Sequence, residues 1–163
     1  MDAITSFDPQ LEARLPAAHT LLMSANLALH PAVTRVILHG LRGLAGNFRP
    51  DSDIDLSLII DGPVVTHPAN QADLFQAVLE ATLTHWHSSV EPDLAVVFDV
   101  RSCGLSCFDR ERWDGQPCTY GSLDCFGLYK IQKGFNGLVT NTGVDVRRMY
   151  PCLKIWQRCI DLH

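Results

Sequence analysis

The sequence predicts an α/β (α+β) domain in which a mixed β-sheet is covered by helices mainly on one face. Three observations carry that expectation. Short apolar runs suited to strands lie at 33–39, 53–60 and 93–100. Segments with an apolar residue every three or four positions lie at 9–29 and 70–87. The two kinds follow one another as helix, strand, strand, helix, strand, an order that places helices against a sheet.

In the first helical segment Leu11, Leu15, Ala18, Leu22 and Leu29 share a face, Pro16 breaks or restarts the helix, and His30-Pro31 ends it. Strand 33–39 runs into a glycine-punctuated turn, itself suited to open a short helix whose amides face an anion. Strand 53–60 is closed by Asp61-Gly62-Pro63. Asn70 is placed to cap a helix reaching about His87, with Phe75, Val78, Leu79, Thr82 and Trp86 as its buried stripe. Strand 93–100 comes next.

Beyond residue 101 the pattern weakens. Residues 103–117 read as a loop, and glycines at 121, 127, 134, 137 and 143 punctuate the region after it. Residues 128–133 fit two forms: a strand sends Lys130 and Lys133 to opposite faces, a helix puts them on one. After Pro151, residues Cys152, Ile155, Trp156, Cys159 and Ile160 fall on the stripe of a terminal helix.

The 163 residues, 47% hydrophobic and 19% charged, suit one domain spanning 1–163, with a core at about 33–100 and a C-terminal extension over 101–163. No apolar run approaches the ~20 residues of a membrane helix. No secretory signal is evident at the N-terminus, so a cytoplasmic location is expected. The six cysteines, at 103, 107, 118, 125, 152 and 159, include no Cys-x-x-Cys pair; reduced, buried thiols fit better than zinc.

Charge is uneven: residues 1–100 carry a balance of −8 and residues 101–163 one of +3. An acidic chain of this kind does not suit general nucleic-acid binding, which draws on phosphate neutralisation. The basic second part offers Lys130, Lys133, Arg147 and Arg148 as cations for a polyanion; each by itself also reads as a solvated surface charge.

The densest chemistry lies at residues 39–56. Asp53 and Asp55 are two apart on a predicted strand, so their carboxylates share a face, while Ile54 and Leu56 anchor the other face in the core. Paired carboxylates suit a hard cation, and Mg²⁺ is commonly held by one or two of them together with substrate phosphates. Gly40 lets backbone approach a phosphate, amides from Leu41 to Gly43 can donate to its oxygens, and Arg42 can add a charge-assisted contact. Ser52 stands in the same polar stretch. Asp51-Ser52-Asp53 by itself is also an ordinary turn cap. His39 either lies near the phosphate or ends its strand.

Gly40-Leu41, eleven further residues, Asp53-Ile54-Asp55-Leu56 and a later Asp93 opening a strand resemble the nucleotidyltransferase superfamily that includes DNA polymerase β, in particular its small stand-alone members. The resemblance covers roughly residues 33–100. Leu41 departs from it, standing where the family carries a small Ser or Gly. The resemblance favours Asp93 as third carboxylate, although Asp99, six residues on, shares its strand face.

It implies the nucleotidyltransferase fold and transfer of a nucleoside monophosphate, by preference AMP from ATP, to a hydroxyl with release of pyrophosphate. Asp53, Asp55 and Asp93 would hold two Mg²⁺ (or Mn²⁺) ions, and Gly40, Leu41, Arg42, Gly43 and Ser52 the triphosphate. Acceptors implied are a small-molecule hydroxyl or a protein, including a helical partner in a toxin–antitoxin pair. Leu41 leaves an alternative: a binding module or regulatory subunit that holds nucleotide without turnover.

Overall fold

The computed structural model describes residues 3–60, 67–100, 103–115, 126–140 and 146–159. Its centre is a six-stranded mixed sheet: β1 (Val33–His39), β2 (Ile54–Ile60), β3 (Pro92–Asp99), β4 (Phe126–Lys130), β5 (Gly137–Thr140) and β6 (Leu153–Gln157). Their order across the sheet is β5-β4-β3-β2-β1-β6. Only β2 and β3 are parallel; the other neighbours are antiparallel. A parallel pair needs a crossover, here made by α3 (Ala72–His85).

Helices α1 (Pro9–Arg14) and α2 (Pro16–Ser24) precede the sheet. Pro16 ends the first and opens the second, as its missing amide dictates, and Asp8 caps α1 through the Gln10 amide. The second helix stops at Ser24, five residues before the expected end, because Asn26 takes a left-handed φ of 58° and its side chain donates to the His85 carbonyl. At the other helix a 3₁₀ turn at Pro68–Gln71 comes first, so Asn70 is not the cap; α3 begins at Ala72 and ends at His85.

The strand alternation divides the core in two. Val36, Leu38, Ile54, Leu56, Leu58, Leu94, Val96 and Phe98 face α1 to α3, meeting Leu11, Leu22, Phe75, Val78 and Leu79. Ile37, Ile59 and Val97 face the opposite way, beneath a cover from the C-terminal extension: Leu105, Cys107, Phe108 and Cys152. No residue of α1 to α3 belongs to that second cluster, in keeping with helices on one face.

Two expectations for the extension are corrected. Residues 153–157 form strand β6 on the free edge of β1 instead of a terminal helix: Leu153 and Ile155 face the helices while Lys154 pairs with Asp109 on the other side. The apolar spacing fits both periods over so short a span, and the open edge of β1 decides between them. Residues 128–133 are neither wholly strand nor helix; β4 ends at Lys130 and a turn succeeds it, with Phe135 N–H donating to the Gln132 carbonyl. The closing turn at 61–63, Cys118, Cys125, the glycines at 121 and 143, and Ile160 lie outside the described residues.

Candidate functional site

The C-terminal end of β1 meets the N-terminal ends of β2 and β3 on the face away from the helices. His39 is the cross-strand partner of Asp55, and Asp55 is the partner of Asp93. Side by side in a parallel pair, the last two carboxyls are close enough for each to shift the other's ionisation. Asp53, one residue before β2, pairs with Lys133, whose ammonium also lies 3.6 Å from Asp93. Strand period and register thus gather all three predicted carboxylates.

Gly40 is what allows Asp55 its position. A Cβ there would fall 2.1 Å from Asp55 Oδ2, and the backbone has a φ of 75°, which L side chains seldom adopt. The following residues form hydrogen-bonded turns, Gly43 N–H to Gly40 O at 3.0 Å and Gly46 N–H to Gly43 O at 3.2 Å, in place of the short helix expected there. Leu41 is 48% exposed.

Arg42 and Ser52 are drawn into the loop itself. The buried Arg42 guanidinium donates to the carbonyls of Ser52, Arg49 and Pro50 and lies 4.6 Å from the Phe48 ring centroid. Ser52 Oγ accepts from the Arg49 amide at 2.8 Å. These bonds hold the polar stretch that delivers Asp53 to the head of β2. Asp99 is at the far end of β3, about 20 Å along the strand from Asp93. There it accepts from the Gly104 amide at 2.8 Å, so of the two sequence candidates Asp93 is the one beside Asp55.

The electrostatics are those of crowded carboxylates with cations to hand. Burial, then the charge of Asp93, pushes the Asp55 carboxyl up to about 6. Burial alone would raise Asp93 as well, but the ammoniums of Lys130 and Lys133 outweigh it and hold that carboxyl below its ordinary value. Lys130 Nζ lies 2.9 Å from the buried Asp93 Oδ1, an ion pair that takes up that oxygen. Two adjoining carboxyls, one of them kept from ionising by burial and by the charge of the other, form a donor set suited to a hard cation. Among the described residues no three His, Cys, Asp or Glu side chains surround one point as a finished metal centre.

Sequence reasoning missed Ser57. It sits two residues after Asp55, hence on the same strand face, and its hydroxyl donates to His39 Nε2 at 2.6 Å. The tautomer follows from the other ring nitrogen: Nδ1 lies 2.9 Å from the Met149 carbonyl, which can only accept. Burial lowers the His39 pKa to about 4, against a smaller upward push from that carbonyl, so the ring is neutral near pH 7. His39 thereby ties β1 to β2 and to the C-terminal extension. A cavity of about 280 Å³ opens between the carboxylates and the extension, with Ser57, Ala95 and Leu128 on its floor and Lys130, Arg148 and Met149 around it.

The four described cysteines take no part in the site. Cys107 and Cys152 are buried in the second core cluster, and Cys103, Cys107, Cys152 and Cys159 are free thiols. Burial first, then the charges of Glu111 and Asp109, pushes the Cys152 thiol up to about 12, which makes it inert. No protein-family model, curated protein or solved structure matches the chain.

Proposed function

We propose that the chain is a metal-dependent nucleotidyltransferase that moves a nucleoside monophosphate, by preference AMP from ATP, onto an acceptor hydroxyl and releases pyrophosphate. The observation that carries this reading is the register of Asp55 against Asp93, with Asp53 beside them and Gly40 opening the space. Asp55, kept from ionising by burial and by the charge of Asp93, is the carboxyl that a bound cation would relieve.

Asp53, Asp55 and Asp93 would hold two Mg²⁺ ions, which when bound stabilise the entering and leaving oxygens of an in-line displacement. Of the turn from Gly40 to Gly43, the Leu41 and Arg42 amides would serve the triphosphate, since the Gly43 amide is spent on the Gly40 carbonyl. Asp93, which lines the cavity, would receive the proton of the acceptor hydroxyl, and the cavity lined by Ser57, Ala95 and Leu128 would admit the acceptor. A small molecule or one side chain of a partner protein fits such a space.

One observation favours a second reading. Lys133 already neutralises Asp53, and Lys130 lies against Asp93, as in a binding module that holds an anion without turnover. The two readings part in one experiment. Purified protein is incubated with each labelled nucleoside triphosphate and Mg²⁺, offering hydroxylated small molecules and candidate partner proteins, beside Asp53→Ala/Asp55→Ala. Transfer with pyrophosphate release by the wild type, lost in the double variant, is expected. Transfer that survives the double substitution overturns the mechanism, and nucleotide binding without turnover establishes the module.

A further inference from the structure

We propose that Lys133 is an exchangeable counter-ion, neutralising Asp53 and Asp93 in the free protein and passing its ammonium to the triphosphate when a metal-bound nucleotide enters. This rests on the nucleotidyl-transfer reading of the same site and assigns a residue that joins metal loading to nucleotide binding.

The β4–β5 turn is built around Asp93. The Gln132 side chain accepts from the Leu94 amide at 3.0 Å and donates to the Pro92 carbonyl at 2.8 Å, so one amide group fastens the turn to the backbone on both sides of that carboxylate. Lys133 comes next with a φ of 55°, then Gly134 with 85°. A lysine seldom adopts the left-handed region; here it aims the side chain back over the carboxylates.

The two lysines of this segment are not equivalent. Lys130 closes β4, its side chain is 17% exposed, and its ammonium is held between Asp93 and the Phe135 ring, 5.3 Å from the centroid. Lys133 has a side chain 48% exposed and bonds Asp53 Oδ2, one of the oxygens a metal ion would need. An ammonium and a divalent cation cannot share that oxygen at contact distance without strong repulsion. Lys133 is the one free to leave, because its long stem is flexible and half in solvent, where an ion pair contributes little. The triphosphate is the densest negative charge within its reach, and lysine binds phosphate as a point charge.

Removing this charge must therefore push two affinities in opposite directions. Asparagine, which tolerates the left-handed backbone, makes Lys133→Asn the variant of choice. Mn²⁺ binding to nucleotide-free protein is measured by the free-ion electron paramagnetic resonance signal, and Mg–ATP binding by calorimetry. Loss of the competing ammonium is expected to tighten Mn²⁺ binding about fivefold, the scale of an exposed ion pair. Loss of a charge-assisted contact is expected to weaken Mg–ATP about tenfold. Lys133→Arg, which keeps the charge, stays near the wild type in both. Constants that move together, or do not move, overturn the proposal while leaving the function standing. A wild type that binds neither Mn²⁺ nor nucleotide overturns both.

Discussion

Asp55 and Asp93 face each other directly across the parallel β2–β3 pair, and the two carboxyls divide one environment unequally: the first resists ionisation, the second is held ionised by lysines. Their inequality follows from where the cations stand, since Lys130 and Lys133 both reach Asp93.

That inequality gives a pH signature. Asp55 has a folded pKa near 6, above its unfolded value, so the folded chain binds this proton more tightly, and its contribution to stability is lost as pH rises from about 4 to about 6. Asp55→Asn removes the titration. Melting temperatures of metal-free protein, followed across that window, should shift in favour of the variant as pH rises; parallel curves would refute the assignment.

Gly40→Ala adds a Cβ 2.1 Å from Asp55 Oδ2 at a φ of 75°. The left-handed backbone alone should cost roughly 1–2 kcal/mol, read from a denaturant midpoint. Displacement of Asp55 should also reduce Mn²⁺ affinity in protein that remains folded. Unchanged metal binding would mean that the close approach has no part in the site.

His39 gives the opposite slope to Asp55. Its folded pKa near 4 lies below the unfolded 6.5, so stability is lost as pH falls from 6.5 to 4, by at most about 3 kcal/mol. His39→Gln should abolish most of that slope. It should also loosen residues 146–149, whose link to β1 runs through the Met149 carbonyl. Hydrogen exchange in that segment is the measurement; protection equal to wild type counts against the link.

Gly127 is a packing position. A Cβ there would lie 2.3 Å from Phe98 Cζ, and Phe98 is stacked on Phe75 with centroids 4.7 Å apart. Gly127→Ala should destabilise by roughly 1–3 kcal/mol through overpacking. Adding Phe98→Leu should recover part of the loss, so that the double variant is more stable than the sum of the singles; simple additivity would place the clash elsewhere.

Much of the site was legible because its spacing is local. Asp53, Asp55 and the strand that carries them announce themselves by alternation, and Asp93 does so by opening a second apolar run. Ser57 could have been found by the same period. Lys133 was legible only as one of four cations suited to a polyanion; its place over Asp53 and Asp93 depends on β4 stopping at Lys130 and on Gln132 fastening the turn to β3. Arg42 illustrates the reverse: a cation beside a glycine turn invites a phosphate, yet its guanidinium is committed to three carbonyls of its own loop.

The sequence by itself determined the strand–turn–strand that pairs Asp53 with Asp55, because side-chain direction along a strand is a property of neighbouring residues alone. Tertiary structure decided the rest. It placed Asp93 rather than Asp99 beside Asp55, turned residues 153–157 into an edge strand, and joined His39 to Met149, 110 residues away. Each of these depends on which edges and faces the folded sheet leaves open, and no local periodicity carries that information.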